Sequence, residues 1–369
     1  MIRPTVAEID LAAIRHNIGQ IRATIGPKTK LVAVVKANAY GHGARPVSRT
    51  ALQAGADCLA VALPEEGAEL REAGVTVPIF VLGLTLPEQA DFLVQHNLIA
   101  TTCAPEGLRA LDGAARARGR RAQIILKVDT GMGRIGVTPD HLAGLLGHTA
   151  TMSGIEPVGM FTHLAMADAS DKTCAAGQLT LFQTAVDQAS SLPYLSAANS
   201  ATIIDLPAGH FNTVRPGIIL YGLPPSNEMH HTLDLRPAMS LKSRIVYIKQ
   251  VPAGTDISYG CTYTTDRQTY IATLPLGYAD GYSRLLSNKA HVLIGGRRRP
   301  VVGRVCMDQL MVDLGPVCDA AIGDEAVLFG RQGAAEITVT ELADLVGTIN
   351  YELVCAVSAR VPRLYLNAL

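Results

Sequence analysis

The chain has 369 residues, and its 32 Lys and Arg residues balance its 32 Asp and Glu residues. A formal net charge of zero argues against nucleic acid or an anionic membrane surface as a main partner. Hydrophobic residues make up 48% of the chain, yet its longest apolar stretch, Val75 to Leu86, is too short to cross a bilayer and contains Pro78. Because Asp10 and Arg15 lie where a signal peptide would need an apolar run, the sequence predicts a cytoplasmic protein that is not membrane-bound.

The seven cysteines are scattered, odd in number and never spaced as C-x-x-C. That spacing favours neither a zinc site nor a disulfide framework, and it is typical of buried thiols in a reducing compartment. We therefore expect no metal site.

Eight short β-branched segments alternate with longer segments of helical period between residues 31 and 216. The predicted strands are Leu31–Lys36, Cys58–Ala62, Pro78–Leu82, Leu98–Thr102, Gln123–Asp129, Pro157–His163, Tyr194–Asn199 and Thr213–Arg215. Predicted helices between them include Pro64–Ala73, Pro87–Asn97, Glu106–Arg118, Pro139–Leu146 and Ala175–Ser190. This pattern predicts an α/β fold with an N-terminal (β/α)₈ TIM-type barrel, although periodicity alone leaves a doubly wound open sheet as an alternative.

The pattern changes after Pro237, where short strand-like segments follow one another with turns between them. We predict a barrel domain at residues 1–236 and a mainly β domain at residues 237–369, and the first strand of the chain is allowed to pack with the β domain. One helix is expected at Thr340–Leu345, before a last strand near Leu353–Ser358.

Polar and ionisable side chains lie at or just after the carboxyl ends of the predicted barrel strands, where barrel enzymes have their active sites. They are Lys36, Lys127, Asp129, His163, Asn199, Ser200 and Arg215. Lys36 ends an apolar strand, and desolvation there would favour the free amine that a Schiff base needs. Ser200, Gly217 and nearby backbone N–H groups follow strands 7 and 8, where barrels commonly bind phosphate. A phosphate held there with a reactive group toward Lys36 indicates pyridoxal phosphate.

The segment Gly131-Met-Gly133-Arg134-Ile-Gly136 has the spacing of a dinucleotide fingerprint. We do not favour that interpretation, because the fingerprint opens a helix in the first βα unit of a fold and this segment follows the fifth strand.

With these residues in view, the sequence resembles bacterial alanine racemase, a fold-type III pyridoxal-phosphate enzyme. The matching segments are AVVKANAYGHG (33–43), KVDTGMGRIGV (127–137), GMFTHLAMAD (159–168), AANSA (197–201), RPGIILYG (215–222), ISYGCTY (257–263), LPLGYADGYSR (274–284), VGRVCMDQ (302–309) and INYELVCAVSARVPR (349–363). They run in family order across nearly the whole chain.

The resemblance implies interconversion of L- and D-alanine by two bases, which supplies D-alanine for peptidoglycan. Lys36 would hold pyridoxal 5'-phosphate and serve one face of the substrate, and Tyr259 would serve the other face from the second subunit of a homodimer. The retained Tyr351 favours alanine over serine as the substrate.

Further roles are implied by the same resemblance. The residues expected around the cofactor are Tyr40, His163, Asn199, Ser200, Arg215, Gly217, Ile218 and Tyr351. Arg134 and the backbone of Met307 would hold the substrate carboxylate, and Lys127 is a possible carbamylated lysine. The residues expected behind the site or at its entrance are Tyr278, Arg284 and Asp308. A cationic His163 is expected to favour the phenolate form of Tyr259.

Three other functions remain open at this point. A pyridoxal-phosphate carrier would share the barrel but lack the large β domain that contains Tyr259. A barrel-type amino-acid decarboxylase would be expected to offer a carboxylate to the pyridine nitrogen, where this sequence has Arg215. A nicotinamide oxidoreductase rests only on the glycine motif.

Overall fold

A computed structural model describes residues 3–368 as two compact units. The barrel unit contains Ile14–Ala39 and Ala44–Arg236. The β unit contains the chain up to Ala13, the short segment Tyr40–Gly43 and the chain from Pro237 onward. The structure groups the first strand with the β unit, as the prediction allowed, and adds the short segment Tyr40–Gly43, which the predicted boundary at residue 236 does not include.

The first strand, β1 (Val6–Asp10), belongs to the β unit, and the next eight strands form the barrel unit. These eight are β2 (Lys30–Val34), β3 (Cys58–Val61), β4 (Ile79–Leu84), β5 (Ile99–Thr102), β6 (Ala122–Lys127), β7 (Ile155–Phe161), β8 (Tyr194–Ser196) and β9 (Thr213–Val214). Neighbours in the chain pair in parallel from β2 to β8, and β9 pairs with β2. A parallel bridge between Ala198 and Val214 closes the ring. All eight predicted strands are present, and the closed ring excludes the doubly wound alternative.

Helices follow most of the barrel strands, and three of them begin at a proline, whose fixed φ suits the first helical turn. The helices are α1 (Leu11–Ile25), α2 (Ala44–Gln53), α3 (Pro64–Glu72), α4 (Ala90–Gln95), α5 (Pro105–Ala117), α6 (Pro139–Ala150), α7 (Thr173–Asp187) and α8 (Ser200–Asp205). In α5, Leu108, Leu111 and Ala115 repeat at helical spacing and are buried. Within residues 3–368, every helix is too short or too polar to span a membrane.

The β unit is built on a sheet of ten strands, including β1, with a separate two-stranded hairpin of β12 and β13. Its other strands are β10 (Met239–Arg244), β11 (Tyr247–Val251), β12 (Asp256–Ile257), β13 (Tyr263–Thr264), β14 (Thr269–Leu274), β15 (His291–Ile294), β16 (Arg297–Val302), β17 (Leu310–Gly315), β18 (Glu325–Gln332), β19 (Ala335–Ile337) and β20 (Arg363–Leu366). Two helices, α9 (Val339–Val346) and α10 (Asn350–Ala356), precede β20. β1 pairs antiparallel with β10 and parallel with β20, which is why the amino terminus belongs to this unit.

The predicted last strand near Leu353–Ser358 is wrong, because most of that segment lies in α10. Its β-branched residues favour a strand. However, Asn350, Leu353 and Val354 are buried at the i, i+3, i+4 spacing of a helix face. Tertiary packing of that face outweighs the local preference, and the last strand comes later, at β20.

Candidate functional site

Lys36 begins a left-handed helical turn two residues after β2 ends. Ala37, Asn38 and Ala39 have φ of 52–54° and ψ of 48–53°, and Tyr40 has φ of 51°. Left-handed helix costs an L-residue roughly 1–2 kcal/mol, so consecutive non-glycine residues keep it only when their surroundings impose it. The sequence predicted a loop here and gave no sign of this strained turn.

Hydrogen bonds on both sides hold the turn. The N–H of Ala37 donates to Glu66 Oε1 at 2.6 Å, and Asn38 Oδ1 accepts from the N–H of Ala44 at 2.7 Å. Beneath it, the hydroxyl of Tyr221 donates to the carbonyl oxygen of Val34 at 2.8 Å. The backbone that carries Lys36 is therefore fixed at the carboxyl end of β2.

The glycines after Lys36 are required by close packing within the β unit. A Cβ at Gly41 would lie 2.3 Å from the carbonyl oxygen of Val354, and one at Gly43 would overlap the hydroxyl of Tyr365. Both residues also have positive φ, of 81° and 101°. Glycine is therefore needed at both positions for two reasons. The close packing leaves no room for a Cβ, and the turn requires a positive φ.

Arg215 lies in the barrel interior, where its side chain is almost fully buried. Its Nη1 donates to the carbonyl oxygen of Ser196 at 2.9 Å and also contacts the Ser196 hydroxyl, and its Nη2 donates to the carbonyl oxygen of Thr162 at 2.7 Å. Burial lowers its pKa to about 9, so the guanidinium stays charged at neutral pH. Its Nε forms no hydrogen bond with any residue between 3 and 368 and remains available to a bound group.

The predicted phosphate site brings Ser200 and Gly217 together. The N–H of Gly217 donates to Ser200 Oγ at 2.9 Å, and both residues are in the barrel unit beside Ile218. Asn199 has a different use, because its Oδ1 accepts from the N–H and the hydroxyl of Thr202, both at 3.0 Å, and so caps α8. The structure thus gives the Asn199 side chain a capping role next to Ser200, and its predicted contact with the cofactor stays a prediction.

Lys127 ends β6 and is almost entirely buried. Its Nζ donates to the carbonyl oxygen of Val128 at 2.7 Å and lies 5.3 Å from the ring centre of Phe161. Burial, reinforced by the positive charges of Arg215 and Arg134, lowers the pKa of this amine to about 8. A substantial fraction of Lys127 is therefore neutral near physiological pH.

His163 lies among the same cations. Burial, followed by the charges of Arg215, Arg134, Lys127 and Lys36, lowers its pKa to about 3. The imidazole is therefore neutral at physiological pH, and the expectation of a cationic His163 is wrong. Any influence of His163 on a neighbouring phenol must act through hydrogen bonding rather than through charge.

The glycine motif forms a loop between β6 and α6 instead of opening a helix. Asp129 holds this loop, because its carboxylate accepts the N–H groups of Gly131, Met132 and Gly133 at 3.0–3.2 Å. Gly136, with φ of 131°, packs against Asp129 so closely that a Cβ would lie 2.6 Å from the Asp129 nitrogen. The glycines therefore shape a loop and do not open a helix, as those of a dinucleotide site would.

Arg134 extends from this loop into solvent. Its side chain makes no hydrogen bond or ion pair that involves any other described residue. An exposed guanidinium beside Lys127 and His163, whose pKa values it lowers, is placed to bind an anionic group.

Gln178 is a polar residue of this region that the sequence analysis missed. It lies on the buried face of α7 with only 4% of its surface exposed. Its Oε1 accepts from the N–H of Ala165 at 2.8 Å, and its Nε2 lies 3.4 Å from both Thr130 Oγ1 and the carbonyl oxygen of His163. Thr130 in turn bonds Thr162 across the strand ends at 2.8 Å. A glutamine at a buried helical position was the signal that could have revealed it.

Two of the predicted tyrosines lie together in the β unit. The rings of Tyr40 and Tyr351 have centres 6.2 Å apart and are tilted by 49°. Burial, followed by the neighbouring Cys355, raises the pKa of Tyr40, so its phenol stays protonated at all ordinary pH values.

Tyr259 is 72% exposed in the single chain, on the loop that joins β12 to β13. A surface cavity of about 400 Å³ lies beside it and is lined in part by Tyr247 and Met311. A large exposed aromatic residue next to a concave surface is unusual unless another molecule covers it.

The backbone near Met307 is tightly organised. The N–H groups of Tyr278 and Ala279 donate to the carbonyl oxygens of Cys306 and Met307, at 3.0 and 3.1 Å, and a Cβ at Gly277 would overlap the Cys306 carbonyl. The N–H of Met307 itself is given no hydrogen-bond partner by the described part of the chain, so it is available to a ligand.

The three predicted entrance residues are all in the β unit. Tyr278 and Arg284 are exposed, and Asp308 accepts a hydrogen bond from Arg360 Nη2 at 2.7 Å. For residues 3–368, no cluster of three or more His, Cys, Asp or Glu side chains is arranged to hold a metal ion.

Comparisons with known proteins agree with the geometry. Residues 9–225 match the model of the alanine racemase N-terminal domain, and residues 238–365 match that of the alanine racemase C-terminal domain. The alanine racemase of Desulforamulus reducens is 50% identical, and the match covers 100% of both chains.

Solved structures show the same likeness. A crystal structure of alanine racemase from the D-cycloserine-producing Streptomyces lavendulae superposes with a TM-score of 0.96 at 39% identity, over 100% of this chain and 98% of that one. The Bacillus anthracis alanine racemase with bound L-Ala-P gives 0.94 at 38% identity, over 100% of this chain and 97% of that one.

Proposed function

The chain belongs to the alanine racemase family, and we propose that it is a pyridoxal-phosphate-dependent isomerase that interconverts L-alanine and D-alanine. The observation that carries this proposal is the mouth of the barrel, where Lys36, Arg215 and the Ser200–Gly217 pair stand at the carboxyl ends of three strands. The ligand in the Bacillus anthracis structure is an alanine analogue by name, which supports alanine as the substrate.

The residues of the barrel unit fit pyridoxal 5'-phosphate. Ser200 Oγ and the backbone of Gly217 and Ile218 would hold the phosphate, and the amine of Lys36 would bind the carbonyl carbon. Arg215 would offer its unbonded Nε to the ring nitrogen, and its buried guanidinium, which is charged at neutral pH, would keep that nitrogen unprotonated. When bound, the cofactor supplies stabilisation of negative charge at the substrate α-carbon.

Arg215 also determines which reactions the site favours. A ring nitrogen without a proton is a weaker electron sink than one that a carboxylate has protonated. We infer that more of the negative charge stays on the α-carbon. Return of a proton to that carbon is then favoured over transamination. A barrel-type decarboxylase would be expected to have a carboxylate in place of Arg215, so this residue also favours racemisation over that alternative.

Racemisation needs a proton to leave one face of the α-carbon and another to arrive on the opposite face. Lys36 would serve one face and Tyr259 the other. Tyr259 is in the β unit and is 72% exposed in the single chain. We propose that a second copy covers this surface in a homodimer and receives the phenol in its own barrel, so that the two active sites are shared.

The substrate carboxylate would be held by the exposed guanidinium of Arg134 and the available N–H of Met307. Lys127 lies beside Arg134, and its lowered pKa provides the neutral amine with which CO₂ reacts. A carbamate on Lys127 would turn a buried cation into an anion that orients Arg134.

Tyr40 and Tyr351 would close the cofactor site on the phosphate side, and His163 would act as a neutral hydrogen-bonding neighbour of Arg215. Tyr278, Arg284 and Asp308 would line the entrance. We place the enzyme in the cytoplasm, where its product supplies peptidoglycan synthesis.

A chiral assay of the purified protein tests the proposal. Equilibration of L-alanine with D-alanine, faster than that of L-serine, is the expected result. Borohydride reduction followed by peptide mapping should place the cofactor on Lys36. Release of CO₂ from a basic amino acid would support the decarboxylase alternative, and bound cofactor without turnover would support a carrier.

A further inference from the structure

Ser258, immediately before Tyr259, has a backbone conformation that L-residues rarely adopt. Its φ is 69° and its ψ is −178°, a region used almost only by glycine. Positive φ continues along the loop, at 73° for Gly260, where it carries no strain, and at 48° for Cys261, where it does. A serine in this conformation is strained and persists only where its surroundings impose it.

The surroundings of Ser258 do impose it. Ser258 Oγ donates to the carbonyl oxygen of Arg304 at 2.7 Å and lies 3.5 Å from Cys306 Sγ. The two segments approach so closely that a Cβ at Gly303 would lie 2.6 Å from the Ile257 carbonyl oxygen and 2.7 Å from Ser258 Cβ. The hydroxyl therefore fixes the first half of the loop to the segment that leads to Met307.

The far end of the same loop is fixed separately. Asn288 Nδ2 donates to the carbonyl oxygen of Thr262 at 3.3 Å, and Asn288 Oδ1 accepts the N–H of Gly303 at 2.5 Å. Tyr259 thus stands on a loop that is anchored before it to Arg304 and after it to Asn288, although its own side chain is largely exposed. Among residues 3–368, the side-chain anchor next to Tyr259 in the chain is the Ser258 hydroxyl.

From this geometry we propose that Ser258 is the positioning residue for Tyr259. Its hydroxyl locks a strained backbone that directs the phenol away from the β unit, toward the position at which a proton is transferred. The inference rests on the proposed function and adds to it the group that fixes the second base.

The test uses the fact that the two enantiomers of alanine are equally stable. The value of kcat/KM must then be equal in both directions, so damage to one base does not lower the rate in one direction alone. The damage is instead detected by measuring how deuterium enters alanine in D₂O. For the enantiomer that Lys36 deprotonates, deuterium can still enter with retention when the phenol is displaced, whereas inversion is slow.

Ser258→Ala removes the anchor and keeps the Cβ. We expect racemisation to fall about 10- to 100-fold, as a displacement of about 1 Å would produce. Deuterium incorporation with retention should fall less than threefold, so the ratio of retention to inversion rises at least several-fold. A purely structural role would lower both rates together and leave the ratio unchanged.

Two further variants complete the experiment. Thr264→Ala is the matched control, because it removes a hydroxyl bond to Asp256 in the same hairpin and leaves Ser258 intact. Its ratio should equal that of the wild type. Ser258→Gly can adopt this backbone without strain, so it should fold even if the alanine variant does not, and because it lacks the hydroxyl that fixes the loop it should also show the raised ratio.

Crystal structures of the variants provide a readout without turnover. Residue 258 should return to a negative φ in Ser258→Ala. A positive φ there, or a ratio equal to that of Thr264→Ala, would overturn the assignment of Ser258. A wild-type protein that neither racemises alanine nor exchanges its α-proton would instead refute the proposed function, and the φ of residue 258 would still decide the positioning role.

Discussion

The Nη2 of Arg215 donates to the carbonyl oxygen of Thr162 at 2.7 Å, which joins the carboxyl end of β9 to that of β7 across the barrel mouth. With Nη1 committed to Ser196, the guanidinium has a fixed plane, and Nε makes no hydrogen bond to residues 3–368 and is left for a ligand. Arg215 is thus a rigid cation whose position the barrel backbone determines.

Replacement of Arg215 by glutamate tests what that cation does. We expect racemisation to fall by about 100-fold or more, because the ring nitrogen would gain a proton and the fixed electrostatic environment would be lost. Conversion of bound cofactor to its amine form, measured by absorbance during turnover, should rise at the same time.

Arg215→Lys is the control for charge, because it keeps the cation but not the planar donor set. It should lower activity without increasing the amine form. An amine form that accumulates equally in both variants would contradict the role of the positive charge.

The modification of Lys127 should depend on pH. The pKa of this lysine is lowered to about 8, so the amine is increasingly protonated as the pH falls below that value, and protonated amine does not react with CO₂. Native mass spectrometry should show a species heavier by one CO₂ unit whose occupancy falls between about pH 8 and pH 6. The KM for alanine should rise in parallel, because Arg134 loses its anionic neighbour. Absence of the heavier species at every pH in this range would refute the carbamate.

Gly136→Ala should disturb the Arg134 loop. An added Cβ would lie 2.6 Å from the Asp129 nitrogen at a φ of 131°. We expect a several-fold higher KM for alanine, with a smaller effect on kcat. Gly144→Ala makes the same chemical change in α6 with no atom within 4 Å, and it should leave KM unchanged. Equal kinetics in the two variants would show that the loop does not position Arg134.

Asp205 is expected to stabilise the barrel unit in a pH-dependent way. Burial alone would raise its pKa, but the ion pair with Lys172 at 2.7 Å and the N–H groups of His230 and His231 outweigh burial and lower the pKa to about 2. This stabilisation is present above the unfolded-state pKa near 4 and is lost as the pH falls toward 2.

Asp205→Asn should therefore lower the free energy of unfolding by roughly 2 kcal/mol at pH 7. The difference from the wild type should shrink as the pH falls from about 4 to 2. Chemical denaturation at several pH values measures it, and a difference that does not change with pH would contradict a role for the carboxylate charge.

Much of the barrel could be predicted, because each strand is a short β-branched segment followed by a helix of clear period. The polar residues that end these strands, such as Lys36, Lys127 and Arg215, could be assigned to one mouth because parallel strands of a barrel share a carboxyl end. Family resemblance then supplied roles for them that spacing alone could not.

Long-range packing determines what could not be predicted. The left-handed turn after Lys36 depends on Glu66, which is 30 residues away in the chain. The helix at Asn350–Ala356 looks like a strand until its buried face is known. The neutral state of His163 follows first from its burial and then from four cations on separate strands and loops, and the strain at Ser258 depends on Gly303. None of these contacts leaves a local pattern in the sequence.

The most direct test of the two-base account is Tyr259→Phe, assayed with each enantiomer of alanine in D₂O. Racemisation should fall about 10²- to 10⁴-fold, the usual contribution of a general acid or base, while deuterium still enters one enantiomer with retention. Tyr270→Phe, which removes a phenol hydroxyl elsewhere in the β unit, should behave like the wild type. Undiminished racemisation by the Tyr259 variant would contradict the account.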